Sequence, residues 1–415
     1  MVIIMNSKVS LVLVGAGGFA RTYLRALWSG IKPESYDFVG IVDPYADKSS
    51  SYDEILARGI PVYASLEDFY REHSAQLCCI VSPVYCHMEQ IRTAFAHGSH
   101  VLCEKPLTVY ASDVALLEEE ARQAGLLLGV GFQWSFSRRV RALKKDILDG
   151  RLGRPVAFKT FISWMRADAY YSKWHGHLYA PDGSLLMDSI ISNAMAHYLH
   201  FGLFLLGEEM DRAKMPDRIK ASLYRAKDIP TFDTCSVRCL FDSGVTHSLY
   251  LTHDADRDRY LSIEMKFEKA VVTILMDYEE TDGHLRAVFD DGTIVDYDSA
   301  GEREVTVEKL TDMLEACRHP EEGIPCHAAT CLPFANVCNS LFAEVPIHDF
   351  PKDTVYHSDG YNPGQYIHEL FDQLRECYHQ DRSPYEMGYR WAVPDTEYVL
   401  KSPQDYKKML KEAYL

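Results

Sequence analysis

The chain is 415 residues long, 47% hydrophobic and 25% charged, with 26 Tyr and 18 Phe. That length exceeds what a single hydrophobic core fills, so two domains are expected, and the aromatic content excludes a largely disordered chain. A formal net charge of −17 opposes attachment to phosphate backbones and anionic membrane surfaces, so neither nucleic acid nor membrane is expected as a partner.

Met1 to Ser10 carry only Lys8 as a basic group, and the apolar run Leu11 to Val14 is too short for a signal-peptide core or a membrane span. A cytoplasmic location is the resulting expectation. Val9 to Val14 (VSLVLV) is apolar and rich in β-branched residues and ends in glycines, as a buried parallel strand does. Phe19, Tyr23, Leu24 and Leu27 then recur at helical spacing up to Gly30, and a second strand, Phe38 to Val42, ends at Asp43-Pro44. Ser65 opens a helix start of the capping-box kind, SLED. Strands over 77–81, 100–103 and 126–130 alternate with helices over 85–97 and 112–124. This alternation predicts a doubly wound parallel sheet over residues 1–133, an α/β Rossmann domain.

From residue 134 to 415 a second, α+β domain is expected, for substrate binding and oligomerisation. Val140, Leu143, Ile147 and Leu148 mark an amphipathic helix closed by Gly150, and a long aromatic stretch and one more helix follow. Between 218 and 298 come IKASLY, CSVRCLF, THSLYLTH, YLSIEMKF, AVVTILM, HLRAVF and TIVDY. Asp242-Ser243-Gly244, Asp282-Gly283 and Asp291-Gly292 punctuate them, which predicts a large, mostly antiparallel sheet of consecutive hairpins.

The eleven cysteines are odd in number, scattered and without a CxxC pair, the usage of reduced thiols that serve as small core residues. Cys317, His319, Cys326, His327 and Cys331 are zinc-ligand types close in sequence. Their spacing matches no paired-ligand pattern, and no metal is expected.

Strand, glycine turn and helix together make the turn Gly15-Ala16-Gly17-Gly18-Phe19-Ala20 a dinucleotide fingerprint. Gly15 permits the tight turn, Gly17 lets the backbone approach a pyrophosphate, and Ala20 in the third position lets helix and strand pack closely. Backbone N–H groups at the start of the helix face the phosphates. Asp43 at the end of the second strand is positioned to accept hydrogen bonds from the ribose hydroxyls, which favours NAD over NADP.

After these come IVSPVYCH (80–87), HVLCEKP (100–106) and VGFQ (130–133), then a helix with a polar residue and a histidine four apart. The succession resembles the glucose-fructose oxidoreductase, inositol dehydrogenase and rhizopine-catabolism (GFO/IDH/MocA) family of sugar and polyol dehydrogenases, over essentially the whole chain. The resemblance implies that Lys105 contacts both nicotinamide and substrate, that the bond before Pro106 is cis, and that Ser82, Pro83 and His87 line the cofactor. It gives Glu104 a part in holding the cofactor, and Gln133 ends the last of the matching motifs. A lysine at the carboxyl end of a parallel strand sits at the mouth of the ligand crevice.

Relatives carry an aspartate followed four residues later by histidine, and here this sequence departs from the pattern. Four beyond Asp188 stands Ser192. Counting back from Leu205-Leu206-Gly207 puts His197 in the histidine position and Asn193 in that of the aspartate, on one helix face, with Asp188 a nearby substitute carboxylate. Arg166, Tyr170, Tyr171 and Trp174 follow the RxDAYY and W-G pattern of one branch of the family. With Asn193 they offer aromatic surface and hydrogen-bonding groups suited to a sugar.

The implied reaction is reversible oxidation of a secondary hydroxyl on a sugar, polyol or glycoside. Lys105 polarises the oxygen, His197 exchanges its proton, and Asn193 and Asp188 orient the substrate or the histidine. Two alternatives stay open: a redox-neutral enzyme that retains its NAD while it cleaves or epimerises a glycoside, and a non-catalytic cofactor- or sugar-binding regulator. The resemblance also implies a homodimer or homotetramer that pairs through the open face of the C-terminal sheet.

Overall fold

Five apolar runs of the first 130 residues are strands of one sheet in a computed structural model, which describes residues 8–172, 174–276, 283–300 and 304–415. β1 (Val9–Val14) turns into α1 (Ala20–Arg25), which continues through one π-helical turn, Ala26–Gly30. There follow β2 (Tyr36–Val42), α2 (Tyr52–Ala57), β3 (Val62–Tyr63), α3 (Leu66–Glu72), β4 (Leu77–Ile80), α4 (Val84–Ala96), β5 (His100–Cys103), α5 (Ala111–Ala124) and β6 (Leu128–Val130). The strands lie parallel in the order β3-β2-β1-β4-β5-β6. Strands covered on both faces need continuous apolar runs, and Leu11, Val12 and Leu13 in β1 and all four residues of β4 are fully buried. The capping start read at Ser65 is present, since its Oγ accepts the Asp68 N–H at 3.1 Å.

The chain continues through α6 (Gln133–Phe136), α7 (Arg138–Leu148), β7 (Pro155–Ser163), α8 (Ala196–Leu205), β8 (Arg218–Arg225), β9 (Thr234–Leu240), β10 (Thr246–Thr252), β11 (Tyr260–Phe267), β12 (Ala270–Met276), β13 (Arg286–Phe289) and β14 (Ile294–Asp296). It ends with α9 (Val305–Arg318), α10 (Ala328–Glu344), β15 (Ile347–Asp349), β16 (Val355–Ser358), β17 (Gly364–Ile367), α11 (Leu370–Gln380), β18 (Thr396–Val399) and α12 (Pro403–Tyr414). The large sheet has the order β14-β13-β12-β11-β7-β10-β9-β8-β15, with β18 also on β8. It is mostly antiparallel, as expected, but the run of consecutive hairpins is interrupted. β7 inserts between β10, to which it is parallel, and β11, to which it is antiparallel. Its last four residues are buried on both faces, so the alternation that marks a half-buried strand is missing there. Gly244 and Gly292 close their turns with φ of +85° and +83°, whereas Asp282 of the third turn lies outside the described residues.

Two compact units result. One holds residues 8–108, 113–138 and 304–331 among those described, and the other holds 109–112, 139–300 and 332–415. A single division after residue 133 therefore leaves out the return of 304–331 to the first unit. The cause is local: α9 buries Val307, Leu310, Met313 and Leu314, and Val130 N–H donates to the Cys326 carbonyl at 2.9 Å. Glycines let α9 approach closely. A Cβ on Gly30 would stand 2.4 Å from Val307, and one on Gly129 would stand 2.6 Å from the Met313 sulfur.

In the second unit, α8 lies on the face of β10 that carries His247, where a Cβ on Gly202 would meet the His247 ring. On the opposite face, Phe161, Tyr224, Tyr250 and Tyr260 pack with Leu370, Phe371, Leu374 and Tyr378 of α11 and with Trp391. The middle of the sheet is thus covered on both sides by this chain. Among the described residues, exposed apolar side chains on the α11 side of the sheet include Leu275, Val288 and Ile294 of the outer strands β12, β13 and β14. No helix among the described residues is long and apolar enough to cross a membrane.

Candidate active site

The candidate cofactor residues of the first unit fall along one edge of its sheet. Gly15 follows β1, Asp43 follows β2, Ser82 and Pro83 follow β4, and Lys105 follows β5. Gly15 has φ +107° and its N–H donates to the Val42 carbonyl at 2.8 Å, and a Cβ there would stand 2.9 Å from the Val81 carbonyl oxygen. Only glycine fits that turn. Beside Gly17 and Gly18 nothing lies within 4 Å of where a Cβ would be, so the backbone of the turn is open to close approach by a pyrophosphate. Phe19 is exposed and Ala20 is buried against the strand. Asp43 accepts the Ala16 N–H through Oδ2 and the Tyr45 N–H through Oδ1, both at 2.8 Å, so its carboxylate ties down the glycine turn. A carboxylate has further acceptor sites for a ribose. These residues fit a dinucleotide.

Gly15→Ala is expected to abolish NAD binding and to lower the melting temperature, because the new methyl group meets the Val81 carbonyl in a backbone conformation that alanine resists. Isothermal titration with NAD and a thermal melt check both effects.

The Lys105 loop is anchored on both sides. Glu104 is buried, with Oε1 accepting from the Tyr23 hydroxyl at 2.8 Å and from Lys309 Nζ at 2.5 Å, and Oε2 accepting the Lys105 N–H at 3.1 Å. Burial pushes this carboxyl upward, yet the Lys309 ammonium, backed by Lys105 and the Tyr23 hydroxyl, holds it below its ordinary value of 4.5. Gly131 is required beside it, since a Cβ there would stand 2.6 Å from the carboxylate. On the other side, buried His87 reaches three carbonyls: Ser82 from Nε2 at 2.9 Å, and Pro106 and Leu107 from Nδ1 at 3.1 and 3.2 Å. Burial lowers its pKa. His87 thus ties the Ser82 loop to the loop of Pro106 and Leu107. The Lys105–Pro106 bond is cis, Lys105 is half-buried, and Gln133 is half-buried at the start of α6.

In the second unit Asn193 and His197, expected on one helix face, do not share a helix. α8 begins at Ala196, so His197 is in its first turn while Asn193 lies in the turn before it. The side chains between 188 and 193 instead bond among themselves: Asp188 Oδ2 accepts from Asn193 Nδ2 at 2.7 Å, and the Ser189 and Ser192 hydroxyls are 3.0 Å apart. Asp188 Oδ1 accepts the Gly176 N–H at 2.7 Å, and Asn193 Nδ2 lies 3.1 Å from His175 Nδ1. Tyr170 stacks on His175 with ring centroids 3.9 Å apart, and exposed Trp174 lies 4.0 Å from the same ring. Burial, reinforced by the Asp233 and Asp254 carboxylates, drives the Tyr171 hydroxyl well above its usual range. Arg166 lies over the rings of Trp164 and Tyr170.

Ten of the eleven cysteines are buried and none is in a disulfide. Cys326 and Cys331 bring their sulfurs to 3.6 Å, while His327 Nδ1 pairs with Glu118 at 2.9 Å. His284, Asp296 and Asp298 form the one close trio of metal-ligand types among the described residues. Its Asp298 is already committed to Arg139 at 2.7 Å and to the Leu285 N–H at 2.8 Å.

Sequence reasoning missed Tyr23 and Lys309. Lys309 left a faint signal, a lysine on the apolar stripe of VTVEKLTDML. The chemical identity of Tyr23 was hidden by its place in an apolar helical pattern.

A glycine turn after the first strand and an acid after the second, on a sheet of order 3-2-1-4-5-6, define a dinucleotide-binding Rossmann unit. Residues 9–132 match the GFO/IDH/MocA oxidoreductase family with its NAD-binding Rossmann fold, and residues 140–273 match the GFO/IDH/MocA C-terminal domain. The chain belongs to this family. It is 26% identical over 211 residues to glucose-6-phosphate 3-dehydrogenase from Bacillus subtilis, a match covering 50% of this chain and 58% of the relative. It is likewise 26% identical over 209 residues to inositol 2-dehydrogenase from Streptomyces avermitilis, covering 50% and 55%. The chain therefore spans little more than half the length of these curated relatives. The crystal structure of the WlbA dehydrogenase from Bordetella pertussis, in complex with NADH and UDP-GlcNAcA, superimposes with a TM-score of 0.65 at 19% identity, covering 81% of this chain and 95% of the other. That likeness is one of fold.

Proposed function

We propose that the protein is an NAD-dependent dehydrogenase that interconverts a secondary hydroxyl and a ketone on a sugar, polyol or glycoside. The observation that carries this reading is the anchored Lys105 loop, a half-buried lysine at the carboxyl end of β5 whose neighbours on both sides are pinned by buried groups. A solvated loop lysine needs no such support. NAD, when bound, supplies the two-electron acceptor. In this reading Gly15, Gly17, Gly18, Phe19, Ala20 and Asp43 hold the dinucleotide, with Ser82, Pro83 and Gln133 beside it and Glu104 and His87 acting through the loops they fix. Lys105 donates a hydrogen bond to the substrate oxygen, and His197 exchanges the hydroxyl proton. Asp188 acts through Asn193, which it orients, and Asn193 contacts a substrate hydroxyl. Tyr170, Tyr171 and Trp174 cover the apolar C–H faces of the sugar. NAD is preferred to NADP because the carboxylate of Asp43 would repel a 2′-phosphate.

The test mixes purified protein with NAD and a panel of polyols, free sugars and glycosides, and records reduced-nicotinamide absorbance and product mass together. Reduced cofactor with a product lighter by two hydrogens is expected. A cleaved or epimerised product without net reduction, or NAD binding with no turnover of any panel member, would refute the dehydrogenase reading.

A further inference from the structure

Arg166 is a cation without a counter-ion in a strongly acidic protein. It is half-buried, and its guanidinium lies between the rings of Trp164, at 3.9 Å, and Tyr170, at 4.9 Å. No carboxylate among the described residues comes within 4.0 Å of it, and its Nε is buried with no hydrogen-bond partner. The nearby acids are committed elsewhere. Asp168, two residues away, accepts the Gln365 N–H at 3.2 Å and lies 3.5 Å from Lys227 Nζ. Asp188 is held by Gly176 and Asn193. Asp254 accepts from Thr234 Oγ1 at 2.8 Å and lies 3.7 Å from Lys227.

A charge taken this far out of water is ordinarily paired. Contact with two aromatic rings offsets part of the cost. One N–H meets the Tyr170 hydroxyl, and the rest of the N–H edge is the group's remaining recognition surface, suited to a carboxylate or a phosphate in a fork of two hydrogen bonds. The site is continuous with the groups assigned to sugar hydroxyls, because the Tyr170 ring that flanks Arg166 stacks on His175, and His175 meets Asn193. Buried His253, whose neighbour in sequence is Asp254, is pushed down to about 3 by its burial and then by the charges of Arg166 and Lys227.

We propose that Arg166, clamped between Trp164 and Tyr170, is the anion subsite of this protein, and that its substrate is a sugar derivative bearing a phosphate or a carboxylate. The identity of the reacting hydroxyl rests on the proposed function. The anion subsite does not.

Binding is measured by isothermal titration to the full chain loaded with NAD, using D-glucose 6-phosphate, D-glucuronate and neutral D-glucose as probes, each at two salt concentrations. At least one charged probe is expected to bind about tenfold or more tightly than glucose, and the charged pair tells phosphate from carboxylate. Arg166→Gln is expected to erase that preference, and Arg166→Lys to restore part of it, since the charge returns without the fork. NAD affinity and the melting temperature of both variants report whether the fold is intact. Equal binding of all three probes, no measurable binding of either anion, or a preference that survives Arg166→Gln in a folded protein would overturn the proposal. Anion binding that depends on Arg166, in a protein that reduces no NAD with any sugar, would sink the dehydrogenase reading and leave the subsite standing.

Discussion

Lys309→Met is expected to destabilise the protein by about 3–5 kcal/mol at pH 7, the cost of breaking a buried ion pair from one side. Lys309 is fully buried and its ammonium meets Glu104 Oε1 at 2.5 Å, beneath the Tyr23 ring at 4.6 Å. Methionine keeps most of the length and apolar volume of the stem, so the loss comes from leaving the Glu104 carboxylate buried without its cation. Adding Glu104→Gln to Lys309→Met is expected to recover a large part of the stability, because a neutral amide costs far less to bury than a lone carboxylate.

The pH dependence separates this account from a simple packing defect. The Glu104 carboxyl is held below its ordinary value of 4.5 in the folded protein. Its contribution to stability is therefore complete above that value and is lost as pH falls below it, through the lower folded value. The gap between wild type and Lys309→Met in urea midpoints should be widest near neutrality and should narrow in acid below pH 4.5. A gap of constant size across that range would mean that the loss is one of packing alone.

The same pair shows why one part of the molecule was readable and another was not. Strands β1, β4 and β5 announce themselves because a parallel strand covered on both faces is apolar at every position, and the glycine turn is legible because its backbone excludes other residues. Glu104 was found through its neighbours in the motif. Lys309 stands 205 residues further on, and nothing in the period of a helix says which buried position will carry a charge for a distant strand. For the same reason the return of α9 to the first unit was invisible, since hydrophobic periodicity says that a face is buried and not against what. β7 was hidden because its pattern passes from partial alternation at its start to burial on both faces at its end, so neither period runs through it. In the second unit the register that selected Asn193 and His197 assumed one helix through both. The side chains of Ser189, Asn193 and Asp188 bond locally instead, which is how short polar residues compete with a helix, and α8 starts only at Ala196.

Lys105→Ala is expected to lower the turnover of the best substrate by roughly 10²- to 10³-fold, the range for removing a donor to an oxygen on which charge develops in the transition state. Melting temperature should fall less than on loss of Lys309, because Lys105 is half-buried and its ammonium only seconds that of Lys309 in holding the Glu104 carboxylate. NAD affinity should fall by far less than turnover, since the glycine turn and Asp43 are untouched. Lys105→Arg keeps the charge but moves the donor, so it should restore cofactor affinity without restoring rate. Steady-state kinetics and NAD titrations on the two variants test this directly. If Lys105→Arg turned over at near the wild-type rate, the lysine would be a charged anchor and not the group that handles the substrate oxygen. If Lys105→Ala lost turnover only in proportion to NAD binding, the loop would serve the cofactor alone and the substrate oxygen would have to be polarised by another group.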